Sequence, residues 1–215
     1  MATGVDYAWD HPGGAALQAV GATFAARYLS HDTSKAITRA EADDLAAHGI
    51  WLVVVFEDSA QRPLAGRAAG VADAQLAVAQ AWAAGIPAGR PIYFAADFDV
   101  TADQQGAIND YLQGAASVLG VDRVGVYGGY RTVQRALDAG VCRWAWQADA
   151  WSGGQWDARA HIRQTDGTTT INAVECDWNT AMTADYGQWM PGVSPATPNV
   201  AQPPAGRRRL DEEVR

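Results

Sequence analysis

Acidic side chains stand at or just past the ends of several apolar runs, and their spacing suits acid–base chemistry. Asp6 closes the first run, Glu57-Asp58 the third, Asp97-Phe98-Asp99 the fourth, Asp149 the sixth and Asp177-Trp178-Asn179 the eighth. Side chains alternate across a strand, so Tyr93, Ala95, Asp97 and Asp99 share one face. Ile92, Phe94, Ala96 and Phe98 share the other, wholly apolar face, which packs on helices. Two carboxyl groups then enter one mouth together, and like charges that close raise at least one pKa. A proton-bearing acid beside a carboxylate is the arrangement that hydrolyses glycosidic bonds. Asp99, Asp97, Asp6, Asp177 and Glu57 form the candidate catalytic set. Each also has a structural alternative. Asp97 or Asp99 can cap a helix starting near Thr101, Asp6 can pair with Arg27 on a neighbouring strand, and Glu57 and Asp58 can simply begin a solvated loop.

Aromatic residues cluster at the same ends. Trp9, Trp146, Trp151 and Trp178, with Tyr7 and Tyr130, lie at or just beyond strand ends. An aromatic wall with a few carboxylates suits a sugar ring, whose apolar face stacks on it. Tyr7, Trp9, Arg27, Tyr93, Tyr127, Trp146, Gln164, Trp178 and Asn179 are the expected substrate-binding residues. Trp51, Trp82 and Trp144 are assigned to the core.

These residues need a scaffold with one common strand end. Strand-like runs span 4–8, 23–29, 50–56, 91–99, 123–127, 143–148, 161–164 and 173–178. Helix-like runs cover 38–48, 65–84, 101–119 and 130–139, stopped by Gly49, Gly85, Gly120 and Gly140. Glycine just past a helix is a C-terminal stop, and Thr38-x-x-Glu41 is a capping box. Apolar runs without alternation imply burial on both faces, as in a parallel sheet covered by helices. The fold expected is an α/β (β/α)8 TIM-like barrel with parallel strands, reduced in its C-terminal units, where no helix is apparent. An open doubly wound sheet is the alternative, weakened by the lack of a Gly-x-Gly-x-x-Gly run after the first strand. Residues 1–190 form the barrel; 191–215 read as a Pro-rich linker and a charged, disordered tail.

Composition narrows the partners. The 215 residues carry a formal net charge of −8, which disfavours nucleic acid. No window resembles a membrane span. The four histidines and two cysteines lack metal-site spacing, so neither metal nor cofactor is expected, and Cys142 and Cys176 read as buried thiols. Lys35 is the sole lysine among 16 basic residues, which we read as a genomic bias. No secretory leader is visible before Gly4, so the expectation is cytoplasmic accumulation with assisted release, or a trimmed chain.

The ordered set Gly4-Val5-Asp6-Tyr7, Asp97-Phe98-Asp99, Ile162-Arg163-Gln164 and Val174-Glu175-Cys176-Asp177-Trp178-Asn179 resembles family-25 glycoside hydrolase lysozymes. More closely, the chain from Gly4 to about Met182 is similar to the glycoside-hydrolase-like domain of actinobacteria and their phages. The resemblance implies a reduced barrel that cleaves the β-1,4 bond between N-acetylmuramic acid and N-acetylglucosamine of cell-wall peptidoglycan. It implies that Asp6 lines the site, that Asp97 opens the fourth-strand Asp-x-Glu motif and that Asp177 is the last-strand aspartate. Asp99 stands where the lysozymes carry the general-acid glutamate. Aspartate is one methylene shorter, and a misplacement of about 1 Å can cost about 100-fold in rate. Three readings follow: the backbone compensates, Glu57 is the acid, or the domain binds glycan or serves as an envelope or phage structural module without cleaving.

Overall fold

The computed structural model describes residues 1–193, so most of the expected linker and tail lies outside the described residues. Eight strands close a barrel in chain order: β1 (Thr3–Asp6), β2 (Phe24–Leu29), β3 (Trp51–Phe56), β4 (Ile92–Ala95), β5 (Val124–Gly128), β6 (Trp144–Ala148), β7 (Ile162–Ile171) and β8 (Val174–Ala181). Five helices, α1 (Gly14–Ala19), α2 (Arg39–Ala47), α3 (Gly66–Ala84), α4 (Gln105–Leu119) and α5 (Tyr130–Asp138), cover it. No helix of the described residues is long and apolar enough to cross a membrane.

Strands β1 to β7 run parallel, but β8 is antiparallel to both β7 and β1, which corrects the all-parallel expectation. The reason is local. Asn172 and Ala173 alone join β7 to β8, with φ of 49° and 67°. Two residues with positive φ make a tight hairpin, whereas a parallel return needs a long crossover.

Strand alternation separates two packing layers. Phe24, Val53, Val55, Tyr93, Tyr127, Trp146, Ile162 and Ala181 fill the interior. Val5, Leu29, Leu52, Val54, Phe94 and Val126 pack outward among helix residues such as Leu45, Ala77 and Leu112. Below the barrel, Tyr186 accepts the Tyr93 hydroxyl on its carbonyl at 2.9 Å and packs its ring on Phe24, 4.9 Å between centroids. Trp189 pairs with Leu52 by two backbone hydrogen bonds.

Other details depart from expectation. β4 stops at Ala95, so its alternation does not carry through to Asp99. The capping box is half formed: Thr38 Oγ1 accepts the Glu41 N–H, but the Glu41 carboxylate turns to Arg27, Tyr7 and His11. Trp82 is 79 % exposed on α3 rather than in the core. Cys142 and Cys176 are free and buried, and burial pushes the Cys176 thiol up to about 11.

Candidate active site

A cleft of about 350 Å³ opens at the mouth formed by the C-terminal ends of β1 to β7. Its floor is set by Asp6. Paired in register with Asp177 across β1 and β8, Asp6 is 3 % exposed. Its Oδ1 accepts from the Tyr28 hydroxyl at 3.1 Å, and its Oδ2 from Gln164 Nε2 at 2.8 Å and Asn179 Nδ2 at 2.7 Å. Burial outweighs these donors and, with the neighbouring charge of Asp177, pushes the Asp6 carboxyl up to about 7.

One wall carries an ion pair. Lys35 Nζ lies 2.8 Å from Glu57 Oε1, with the ammonium 4.2 Å from the Tyr28 ring centroid and 5.3 Å from that of Trp9. Glu57 follows β3, and its backbone N–H is held by Leu29 O at 3.0 Å. Burial raises the Glu57 carboxyl and the charge of Asp97 adds to it, while Lys35 opposes both. Asp97 stands opposite, beyond β4, raised by burial. Asp177 is raised by burial and by the charges of Glu175 and Asp97. Tyr127 donates to Gln164 Oε1 at 2.6 Å. Trp9, Trp151, Asp149, Asp166 and Thr165 complete the lining. Among the described residues no group of three or more His, Cys, Asp or Glu side chains could hold a metal ion.

Eight expected residues meet at this mouth: Asp6, Glu57, Asp97, Asp177, Trp9, Tyr127 and Gln164 in or under the cleft, with Asn179 clamping Asp6 from below. Others do not. Asp99 is exposed and stands outside the lining residues. Tyr7, Arg27 and Trp178 each neighbour an inward residue and so point outward. The Tyr7 hydroxyl and the Arg27 guanidinium both bind Glu41, so the Asp6–Arg27 pair does not form. Trp178 packs on the outer layer. Tyr93 and Trp146 do face inward, but in deeper layers: Tyr93 reaches Tyr186, and Trp146 Nε1 donates to Asn179 Oδ1 at 2.9 Å. Lys35, Tyr28 and Asp166 are among the lining residues that sequence reasoning passed over. The uniqueness of Lys35 is the signal that could have found it.

Facing carboxyl groups in a shielded cleft with an aromatic rim, at the mouth of a (β/α)-type barrel, define a glycoside-hydrolase-like protein. The chain belongs to the Rv2525c-like, glycoside hydrolase-like domain family, whose model matches residues 15–181. It is similar to Rv2525c of Mycobacterium tuberculosis, named as a candidate peptidoglycan hydrolase, at 30 % identity over 88 % of this chain and 84 % of the relative. The crystal structure of that Tat-secreted protein with L-tartrate matches with a TM-score of 0.83 at 29 % identity, over 87 % of this chain and 98 % of the other. The fold also matches a bacterial lysozyme from Streptomyces coelicolor, with a TM-score of 0.55 at 14 % identity over 84 % and 91 % of the two chains. A family 25 glycosyl hydrolase from Bacillus anthracis gives 0.55 at 13 % identity over 87 % and 94 %.

Proposed function

We propose that this chain is a peptidoglycan glycosidase, cleaving the β-1,4 bond between N-acetylmuramic acid and N-acetylglucosamine at the cell envelope. The observation that carries the reading is the convergence of Glu57, Asp97 and Asp177 on one cleft rimmed by Trp9 and Trp151. Family membership and the peptidoglycan hydrolase name of the relative support it. That relative is Tat-secreted, which supports action outside the cytoplasm.

The chemistry follows from the groups present. One carboxyl gives its proton to the glycosidic oxygen as the C1–O bond breaks. An opposing carboxylate stabilises the positive charge that builds at C1. Water then adds at C1, and its proton passes to a carboxylate. Asp6 is buried beneath the cleft, where it positions Gln164 and Asn179.

The test is release of reducing ends from purified peptidoglycan between pH 4 and 8, by wild type and by Asp97→Asn and Glu57→Gln. Wild-type turnover lost in both variants supports the reading. Binding without any release of reducing ends overturns it. A second reading, a glycan-binding module on the same barrel, is favoured by one observation: the position of the lysozyme glutamate holds Asp99, exposed and off the cleft.

A further inference from the structure

We propose that Asp73, buried behind the cleft on α3, is a positioning residue: through Arg62 it anchors the loop that carries Glu57 and braces Asp97, and through His31 the loop that carries Lys35. The effect on turnover rests on the glycosidase reading; the anchoring itself is tested without it.

The buried face of α3 is alanine and glycine except at Asp73. Burying a charge there is costly, and an apolar side chain of similar size would pack the helix as well. What a carboxylate adds is direction. Its Oδ1 accepts from His31 Nε2 at 3.0 Å and from Arg62 Nη2 at 2.8 Å. Its Oδ2 accepts from Arg62 Nε at 2.7 Å and from the Tyr111 hydroxyl at 2.9 Å. Every acceptor position of the carboxylate is then used, and the two-pronged bond fixes the plane of the Arg62 guanidinium. Burial works against the Asp73 charge, but the three donors outweigh it and hold the carboxyl below the usual aspartate range.

Two of the donors lead to the cleft. Arg62 opens the short 3₁₀ turn Arg62–Ala65 between β3 and α3, in the segment that begins with Glu57. In that same segment Ala60 O accepts the Asp97 N–H at 3.2 Å, so one anchor braces two of the cleft's carboxyl groups. His31 lies just past β2, on the way to Lys35. Its ring meets Phe56, the residue before Glu57, edge-on at 5.7 Å between centroids. Beside it Ser30 is clasped through two hydrogen bonds by the side-chain amide of Gln80, also on α3. The loop is closed on itself, for the Lys35 N–H donates to Asp32 O at 3.1 Å. Lys35 Nζ then meets Glu57 Oε1 at 2.8 Å, which joins the two anchored loops across the cleft wall. Tyr111, the third donor, belongs to α4, which lends no residue to the cleft. Asp73, Arg62 and His31 do not line the cleft either, so they act on the reaction through what they hold.

This arrangement supplies its own control. Tyr111→Phe takes one donor from Oδ2 and leaves Arg62 Nε there; His31→Leu takes one from Oδ1 and leaves Arg62 Nη2. The two changes perturb the carboxylate alike, but only the second releases a cleft loop.

The test is backbone amide hydrogen exchange read by NMR in the full chain, beside steady-state turnover of purified peptidoglycan. His31→Leu should speed exchange of the Lys35 amide, and Arg62→Met that of the Asp97 amide, each by about tenfold or more beyond the change in global stability. Arg62→Met should lower kcat by about ten- to a hundredfold with KM within about twofold, as displacement of reacting groups does. Arg62→Lys keeps the charge without the planar fork, so it should recover part of the loss, and it serves if the methionine variant does not fold. Tyr111→Phe should melt lower yet leave both amides and kcat close to wild type. Unchanged exchange at both amides, an unchanged kcat in folded Arg62→Met, or an equal loss of turnover in Tyr111→Phe overturns the proposal. The expected exchange in a chain whose wild type releases no reducing ends leaves the anchoring standing and overturns the glycosidase reading instead.

Discussion

Asp6 and Asp177 are directly opposed residues of antiparallel β1 and β8, so the reversal of the last strand puts two carboxyl groups side by side under one cleft. Burial is the main cause of the raised Asp6 pKa, and the Asp177 charge adds to it. Asp177→Asn should therefore lower the Asp6 midpoint from about 7 while leaving it well above an ordinary aspartate. A carbon-13 NMR titration of the carboxyl groups reads it. A midpoint that does not move would show that the two groups are uncoupled.

Stability should carry the mark of Asp6. Its carboxyl rises from 3.8 to about 7 on folding. Between those values the folded chain keeps a proton that the unfolded chain has released. The Asp6 contribution is thus most favourable below about pH 4, declines as pH rises to about 7 and is flat beyond. A rise of roughly three pH units corresponds to at most about 4 kcal/mol. Asp6→Asn has no such titration, so its stability deficit against wild type should narrow between pH 4 and pH 8. Urea denaturation at both pH values measures this; a constant deficit contradicts it.

Asp97 and Asp99 should separate sharply in activity. Asp97→Asn removes a carboxyl from the cleft and should lower kcat by about 10²–10⁴, the usual range for a general acid. Asp99→Asn alters an exposed side chain off the lining and should keep turnover within about twofold, as surface changes of about 0.5 kcal/mol do. Reducing-end assays on matched, folded samples compare them. A loss in Asp99→Asn as large as in Asp97→Asn would return the acid role to Asp99.

The contrast shows what sequence encodes and what it does not. Glycine stops and unbroken apolar runs make the barrel legible, because burial on both faces and helix termination are local properties. Strand direction at β8 is less so: the hairpin turns on Asn172-Ala173, and alanine hides a positive φ that glycine would have announced. Alternation locates Asp97 but not Asp99, since it holds only while the strand continues and β4 ends at Ala95. The partners of Asp6 come from β2, β7 and β8, and only closure of the barrel brings Tyr28, Gln164 and Asn179 together. Lys35 sits on a loop with no periodicity, where its chemistry depends on Glu57 across the cleft.

The α3–α4 crossing should be intolerant of a single methyl group. A Cβ on Gly70 would lie 2.0 Å from the Tyr111 carbonyl oxygen, and one on Gly114 2.2 Å from that of Arg67. Both obstacles are backbone, so the helices must move apart. That also strains the Tyr111 hydroxyl bond to the buried Asp73, which Arg62 and His31 share. Gly70→Ala should cost about 1–3 kcal/mol or more, or roughly 3–10 °C in Tm. An unchanged melting curve would show that the crossing has slack.

Trp151 on the cleft rim has φ of 57°, a left-handed conformation that an L-residue adopts at a cost of about 1–2 kcal/mol. It is 40 % exposed and lines the cleft, so part of its surface faces the open site. Strain kept at a half-exposed aromatic points to glycan stacking as its use. Trp151→Gly relieves the backbone and removes the ring. It should leave Tm equal to wild type or slightly higher, and weaken binding of soluble peptidoglycan fragments by about three- to tenfold, the range for one aromatic contact. Trp151→Ala keeps the strain and loses the same ring, so it should match the binding loss but melt lower than the glycine variant. Calorimetric binding and thermal melts of the two variants decide the matter. Full affinity in both would free Trp151 from any part in glycan recognition, and equal melting of the two would show that its backbone carries no strain.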